Sequence, residues 1–132
     1  MAIQEAAGPG NPELARFLDR LAYALLQEKN LKGAQGLFER SLALRQKTLG
    51  PKNPEVGESL SGLADCAYQA GRLHEAEVLY EQALAILRKP DGSFYPGAYD
   101  VLKSFAARLR ATHRDARAAD LEAQAKSVEA NR

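Results

Sequence analysis

The phrase Gly-Pro-x-Asn-Pro-Glu occurs twice in this chain, in GPGNPEL (Gly8 to Leu14) and GPKNPEV (Gly50 to Val56). Pro12 and Pro54 stand 42 residues apart, and the same step again reaches Pro96, in FYPGAYDVL. A fixed period of this size means that one supersecondary unit recurs. The chain must then fold as a stack of similar units, each covering its neighbour's apolar face. The register extends far beyond the turn. Leu18, Leu60 and Leu102 correspond, as do Leu21, Leu63 and Phe105, and Ala22, Ala64 and Ala106. Further on, Ala34, Ala76 and Ala118 match, and so do Leu37, Leu79 and Leu121. Phe38 answers Tyr80, but the third copy has Glu122 there.

Each unit reads as two helices. The first opens at the repeated phrase, with Asn as N-cap, Pro at the first helical position and Glu in the first turn. In the second unit this predicts a helix from about Pro54 to Ala70, closed by Gly71 in a left-handed cap. A second helix follows from about Leu73 to Lys89, with Leu73, Ala76, Leu79, Tyr80, Ala83, Leu84 and Leu87 at helical spacing. In unit one the turn falls at Lys29-Asn30, and Asn30 is the expected left-handed residue. Leu, Ala, Glu, Arg and Gln dominate the chain, and no stretch alternates long enough to make a strand. The expected class is all-α.

Large and small residues alternate within each unit. Ala22, Ala34, Ala64 and Ala76 let paired helices approach, while Leu21, Leu63, Phe38 and Tyr80 fill the space between them. This code, with Leu63-Ala64, Gly71, Ala76, Tyr80 and Ala83 at its fixed places, resembles the tetratricopeptide repeat (TPR). TPR units are commonly about 34 residues long. The longer period here, with LALRQKTLGPKNPEV and GRLHEAEVLYEQALAI, resembles the kinesin light chain group. The resemblance implies a right-handed TPR solenoid of three antiparallel helix pairs, with repeats at about residues 11–52, 53–94 and 95–132. Residues 1–10 align with the end of a preceding second helix, so they are either the remnant of an earlier repeat or an ordinary leader. In the third unit, Pro90 should end the preceding helix early, KPDGSFYPG should form a loop, and Tyr95 replaces the capping Asn. Its second helix has few large apolar residues and reads as a cap with a polar outer face.

Catalytic chemistry finds no constellation. His74 and His113 fall at or beside turns, and Cys66 sits between alanines as a small core residue. Neither a metal-ligand pattern nor a phosphate-binding glycine loop occurs, so no enzyme activity and no cofactor or metal are expected. Eighteen basic residues balance seventeen acidic ones, which gives no field suited to nucleic acid or an anionic membrane. No apolar run approaches the roughly 20 residues of a membrane span. With a single cysteine and no signal-peptide pattern, a cytoplasmic protein is expected. The cluster Lys103, Arg108, Arg110, Arg114 and Arg117 is expected to be a solvated face paired with Asp115 and Asp120, and Phe94, Tyr95 and Tyr99 to pack beneath unit three.

The resemblance implies a concave groove lined by the first helix of each unit, holding a peptide or protein segment. The repeat register assigns it Arg16, Asp19, Arg20, Tyr23 and Gln27 from unit one. Unit two contributes Glu58, Ser61, Asp65, Tyr68 and Gln69, and unit three Asp100, Lys103, Ser104 and Arg110. Mixed charge beside tyrosines suits a protein partner. Kinesin light chains usually carry an Asn-Asn pair before the Leu-Ala step, where this chain has Asp19-Arg20, Ser61-Gly62 and Lys103-Ser104. That family's cargo-peptide chemistry is therefore not expected here. The alternative is a scaffold segment of a longer array, self-associating through its ends.

Overall fold

The structure, a computed structural model, describes residues 12–131. Residues 1–11, with the expected remnant or leader and the cap at Asn11, lie outside the described residues. Six helices follow one another: α1 (Pro12–Gln27), α2 (Leu31–Leu49), α3 (Pro54–Gln69), α4 (Leu73–Leu87), α5 (Ala98–Ala111) and α6 (Asp115–Ala130). They form three antiparallel hairpins, α1/α2, α3/α4 and α5/α6, stacked in chain order. This is the all-α repeat array expected from the period.

The turns show how the period is set. Asn53 caps α3 by accepting a 2.9 Å hydrogen bond from the Glu55 N–H, with Pro54 in the first turn. Gly71 takes φ +84°, and its register mates Lys29 and His113 take φ +67° and +63°. All three hairpins therefore turn through the same left-handed residue, although only the middle one uses glycine. The expectation for Asn30 is corrected. Asn30 instead caps α2, accepting from the Gly33 N–H at 3.0 Å.

The third unit departs where proline and loop chemistry intervene. Helix α4 ends at Leu87, two residues before the expected Lys89. Arg88 and Phe94 then form an antiparallel bridge, with Gly92 at φ +92° in the tip. Helix α5 starts at Ala98, two residues later than Pro96 would place it, and Gly97 caps it without a side-chain bond. The missing Asn accounts for the late start. Phe94, Tyr95 and Tyr99 are half-buried against the main core, as expected, with Arg88 4.2 Å over the Phe94 ring.

The small positions Ala22, Ala34, Ala64 and Ala76 are buried, and so are Phe38 and Tyr80; Leu21 and Leu63 are half-buried. Tyr80 stacks on Phe105 at 5.0 Å across the second joint, between units two and three. The outer end of the array is different in kind. Ser61, Tyr80 and Leu84 are buried where unit three covers unit two. Their register mates in unit three are Lys103, Glu122 and Lys126, which line an open cleft with Tyr99. Arg110 clamps Glu122 there through two bonds, at 2.6 and 2.8 Å. No described helix is long and apolar enough to cross a membrane.

Candidate functional site

The first helices of units one and two enclose a cleft of about 340 Å³. It is lined by Arg16, Asp19, Arg20 and Tyr23 of α1, Arg45 of α2, and Glu55 and Glu58 of α3. Five of the expected groove residues thus meet in one place. Tyr23 is 40% exposed and sets its ring edge against Phe38 at 4.8 Å.

Arg45 and Glu55 are not in the expected set, which draws on the first helix of each unit, whereas Arg45 reaches the cleft from α2. Arg45 is 3% exposed. It donates to Asp19 at 2.7 Å, to Ser59 Oγ at 3.0 Å and to the Glu55 carbonyl at 3.1 Å. Ser41 and Ser59 join the same joint, 3.1 Å apart. The signal was present in the register: 42 residues on from Arg45 stands Leu87, a core position. Asp19 is consequently held in the joint between units one and two. Burial raises its carboxyl above the ordinary value, with Arg45 pulling the other way.

Several other expected groove residues belong elsewhere. Ser61 and Asp65 are buried, 5% and 7% exposed. Asp65 accepts a hydrogen bond from the Tyr80 hydroxyl and pairs with Arg108 at 3.5 Å. Arg108 lies 4.4 Å over the Tyr68 ring, so Tyr68 is half-buried beneath it. Lys103 and Arg110 stand on unit three beside Glu122, apart from this cleft. The reason is geometric. A first helix in a stack is covered by its own partner and by neighbours on both sides, and only a narrow stripe at spacing i, i+3/i+4, i+7 stays open. On that stripe lie Arg16, Arg20, Tyr23 and Gln27 of α1, and Glu58 and Gln69 of α3, all exposed. Asp100 and the half-buried Ser104 hold the same register on α5.

The basic cluster of unit three is paired, although mostly with other acids than expected. Arg110 does reach Asp115 at 3.6 Å, but Arg114 pairs with Glu77 and Arg117 with Glu81, both on α4. These pairs bridge neighbouring units. His74 and His113 are exposed at the turns. Cys66 is buried, and burial pushes its thiol up to about 11, far from a nucleophile's range. Among the described residues no group of His, Cys, Asp and Glu is gathered for a metal ion.

Comparison with known proteins follows the same lines. The sequence profile of the tetratricopeptide repeat family matches residues 3–89. No curated protein matches the chain. Among solved structures, BtubC (BKLC) from P. vanneervenii superposes with a TM-score of 0.75 at 20% identity, over 97% of this chain and 51% of that one. Nearly identical TPR-like repeats from Podosopora anserina, assigned to a kinesin light chain, superpose at 0.73 with 25% identity, over 91% of this chain and 57% of that one. A point variant of those same repeats gives 0.71 at 25% identity, over 90% and 56%. The chain spans little more than half the length of the structures it matches.

Proposed function

Because this chain belongs to the tetratricopeptide repeat family, with repeats of the kinesin-light-chain-like type, we propose that it binds a peptide or protein segment in its concave groove. The family's general role is protein–protein interaction, and the finer reading rests on one observation. Arg16, Arg20 and Tyr23 of one unit face Glu58 of the next across an open cleft. An exposed aromatic ring flanked by arginines has the composition of an interaction hot spot. Stacking of the units leaves Arg16, Arg20, Tyr23 and Gln27 of α1 and Glu58 and Gln69 of α3 exposed.

The rival reading is a spacer that stacks on further copies through its ends. At the C-terminal end this is disfavoured, since Lys103, Glu122 and Lys126 occupy the places that receive a neighbour in unit two. Site-specific photo-crosslinking in the cell would test the groove. A crosslinker at Tyr23 or Glu58 should capture a discrete partner, and one at Val78 or Gln82, exposed on α4, should not. Capture from the α4 positions alone would refute the assignment.

A further inference from the structure

Resting on the groove reading above, we propose that the cleft recognises an extended segment bearing one acidic and one basic side chain. Arg20 takes the acid and Glu58 takes the base.

The argument begins with which charges remain uncompensated. Arg45 is matched by Asp19 at 2.7 Å and by Glu55 at 3.7 Å, and Arg16 by Glu13 at 2.8 Å. Arg20 and Glu58 are exposed and make no hydrogen bond or ion pair among the described residues. They stand on opposite walls of one cleft and carry opposite charge. The repeat register extends the asymmetry. Arg16 on α1 corresponds to Glu58 on α3 and Asp100 on α5, so the groove is basic at unit one and acidic beyond it.

Glu58 also has a neighbour in unit three. Its carboxylate lies against Gly97, at the N-terminal end of α5, where a helix favours negative charge. Burial pushes its carboxyl above the ordinary value, aided by Glu55 and Asp19 and opposed by Arg45 and Arg16, so a further cation would favour its charged form. Beneath the cleft, Asp19 Oδ1 and Arg45 Nε are buried without hydrogen-bond partners, a polar floor ill-suited to an apolar anchor.

Spacing follows from the packing. Adjacent helices lie about 8–10 Å apart, and an extended chain advances about 3.3 Å per residue. The acid and the base should therefore be two or three residues apart. A segment with charges of one sign would be repelled by one wall.

The test is a random ten-residue peptide library displayed on phage and selected on the immobilised chain. The expected consensus contains an acid and a base two or three residues apart. A synthetic consensus peptide, followed by fluorescence polarisation, should bind at least tenfold more weakly to Arg20→Glu and to Glu58→Lys, each keeping its helical circular dichroism and a cooperative melt. The double swap should recover affinity for the peptide with its acid and base exchanged. If selected peptides lack the charge pair, or ignore both substitutions while crosslinking through Tyr23, the charge rule falls and the groove stands. If no peptide is selected, or crosslinks form only outside the cleft, both fall.

Discussion

Arg45 and Asp19 form a buried ion pair at the joint between units one and two, and the repeat register places Leu87 and Ser61 at the same points of the next joint. One architecture thus carries two kinds of seam. The first is polar, with Asp19, Ser41, Arg45 and Ser59; the second has Ser61, Ala83, Leu87 and Val101 in their places. All four of the latter are buried.

The contrast gives a paired expectation. Arg45→Leu alone leaves Asp19 charged in the joint and should destabilise by about 3–5 kcal/mol. The fourfold change Asp19→Ser, Ser41→Ala, Arg45→Leu and Ser59→Val copies the second seam into the first. It should be near neutral or stabilising, because a matched apolar joint removes the desolvation of both charges. Urea unfolding of the two variants decides the matter.

Two glycines should respond in opposite ways. A Cβ on Gly62 would sit 2.3 Å from the Phe38 ring, so Gly62→Ala should over-pack the joint and lose about 1–3 kcal/mol. Phe38→Leu in the same chain should return part of the loss. Gly36 is exposed on α2 with nothing within 4 Å of its Cβ position. Gly36→Ala should gain about 0.5–1 kcal/mol from helix propensity. Thermal melts of the two variants should therefore shift in opposite directions.

The left-handed turns offer a third test. Lys29 and His113 hold positive φ that side chains with a Cβ resist, and Gly71 shows what the position prefers. Lys29→Gly and His113→Gly should each stabilise by about 0.5–1 kcal/mol. Gly71→Lys should do the reverse. A denaturation midpoint unmoved by all three would contradict the turn geometry.

Acid should strengthen the fold before it weakens it. Asp19, Glu58 and Asp65 all have carboxyls held above their ordinary values, burial being the first cause in each. An acid with a raised native pKa binds more protons folded than unfolded across the intervening window, so unfolding free energy rises as pH falls through it. Stability should climb from neutral pH toward the ordinary carboxylate range near about 4. Below that, Asp91 and Glu122, held low by Ser93 and Arg110, give up their contribution. Glu58→Gln should show a shallower climb in urea midpoints measured across this range.

What the sequence disclosed was whatever repeats or acts locally. Asn53 and Pro54 announce a helix start, Pro90 announces a stop, and the alanines at 22, 34, 64 and 76 mark close helix contacts without reference to anything distant. Ser61, Lys103 and Asp19 were harder. They hold one register position and differ among themselves in how far a neighbouring unit covers them, which depends on stacking geometry. Arg45 was hidden by its type, since a charged side chain reads as surface until Leu87 is laid over it. Asp65 was misplaced for a related reason: its partners, Tyr80 and Arg108, lie 15 and 43 residues away along the chain.

The charges at the far end of unit three carry a consequence for growth. A solenoid resembles a one-dimensional crystal, in which each finished layer is a template for the next. Lys103, Glu122 and Lys126 put charge on the face of unit three, and Arg110 already engages Glu122 there. A further layer laid on unit three would have to match charge at positions where unit three itself met Ser61, Tyr80 and Leu84.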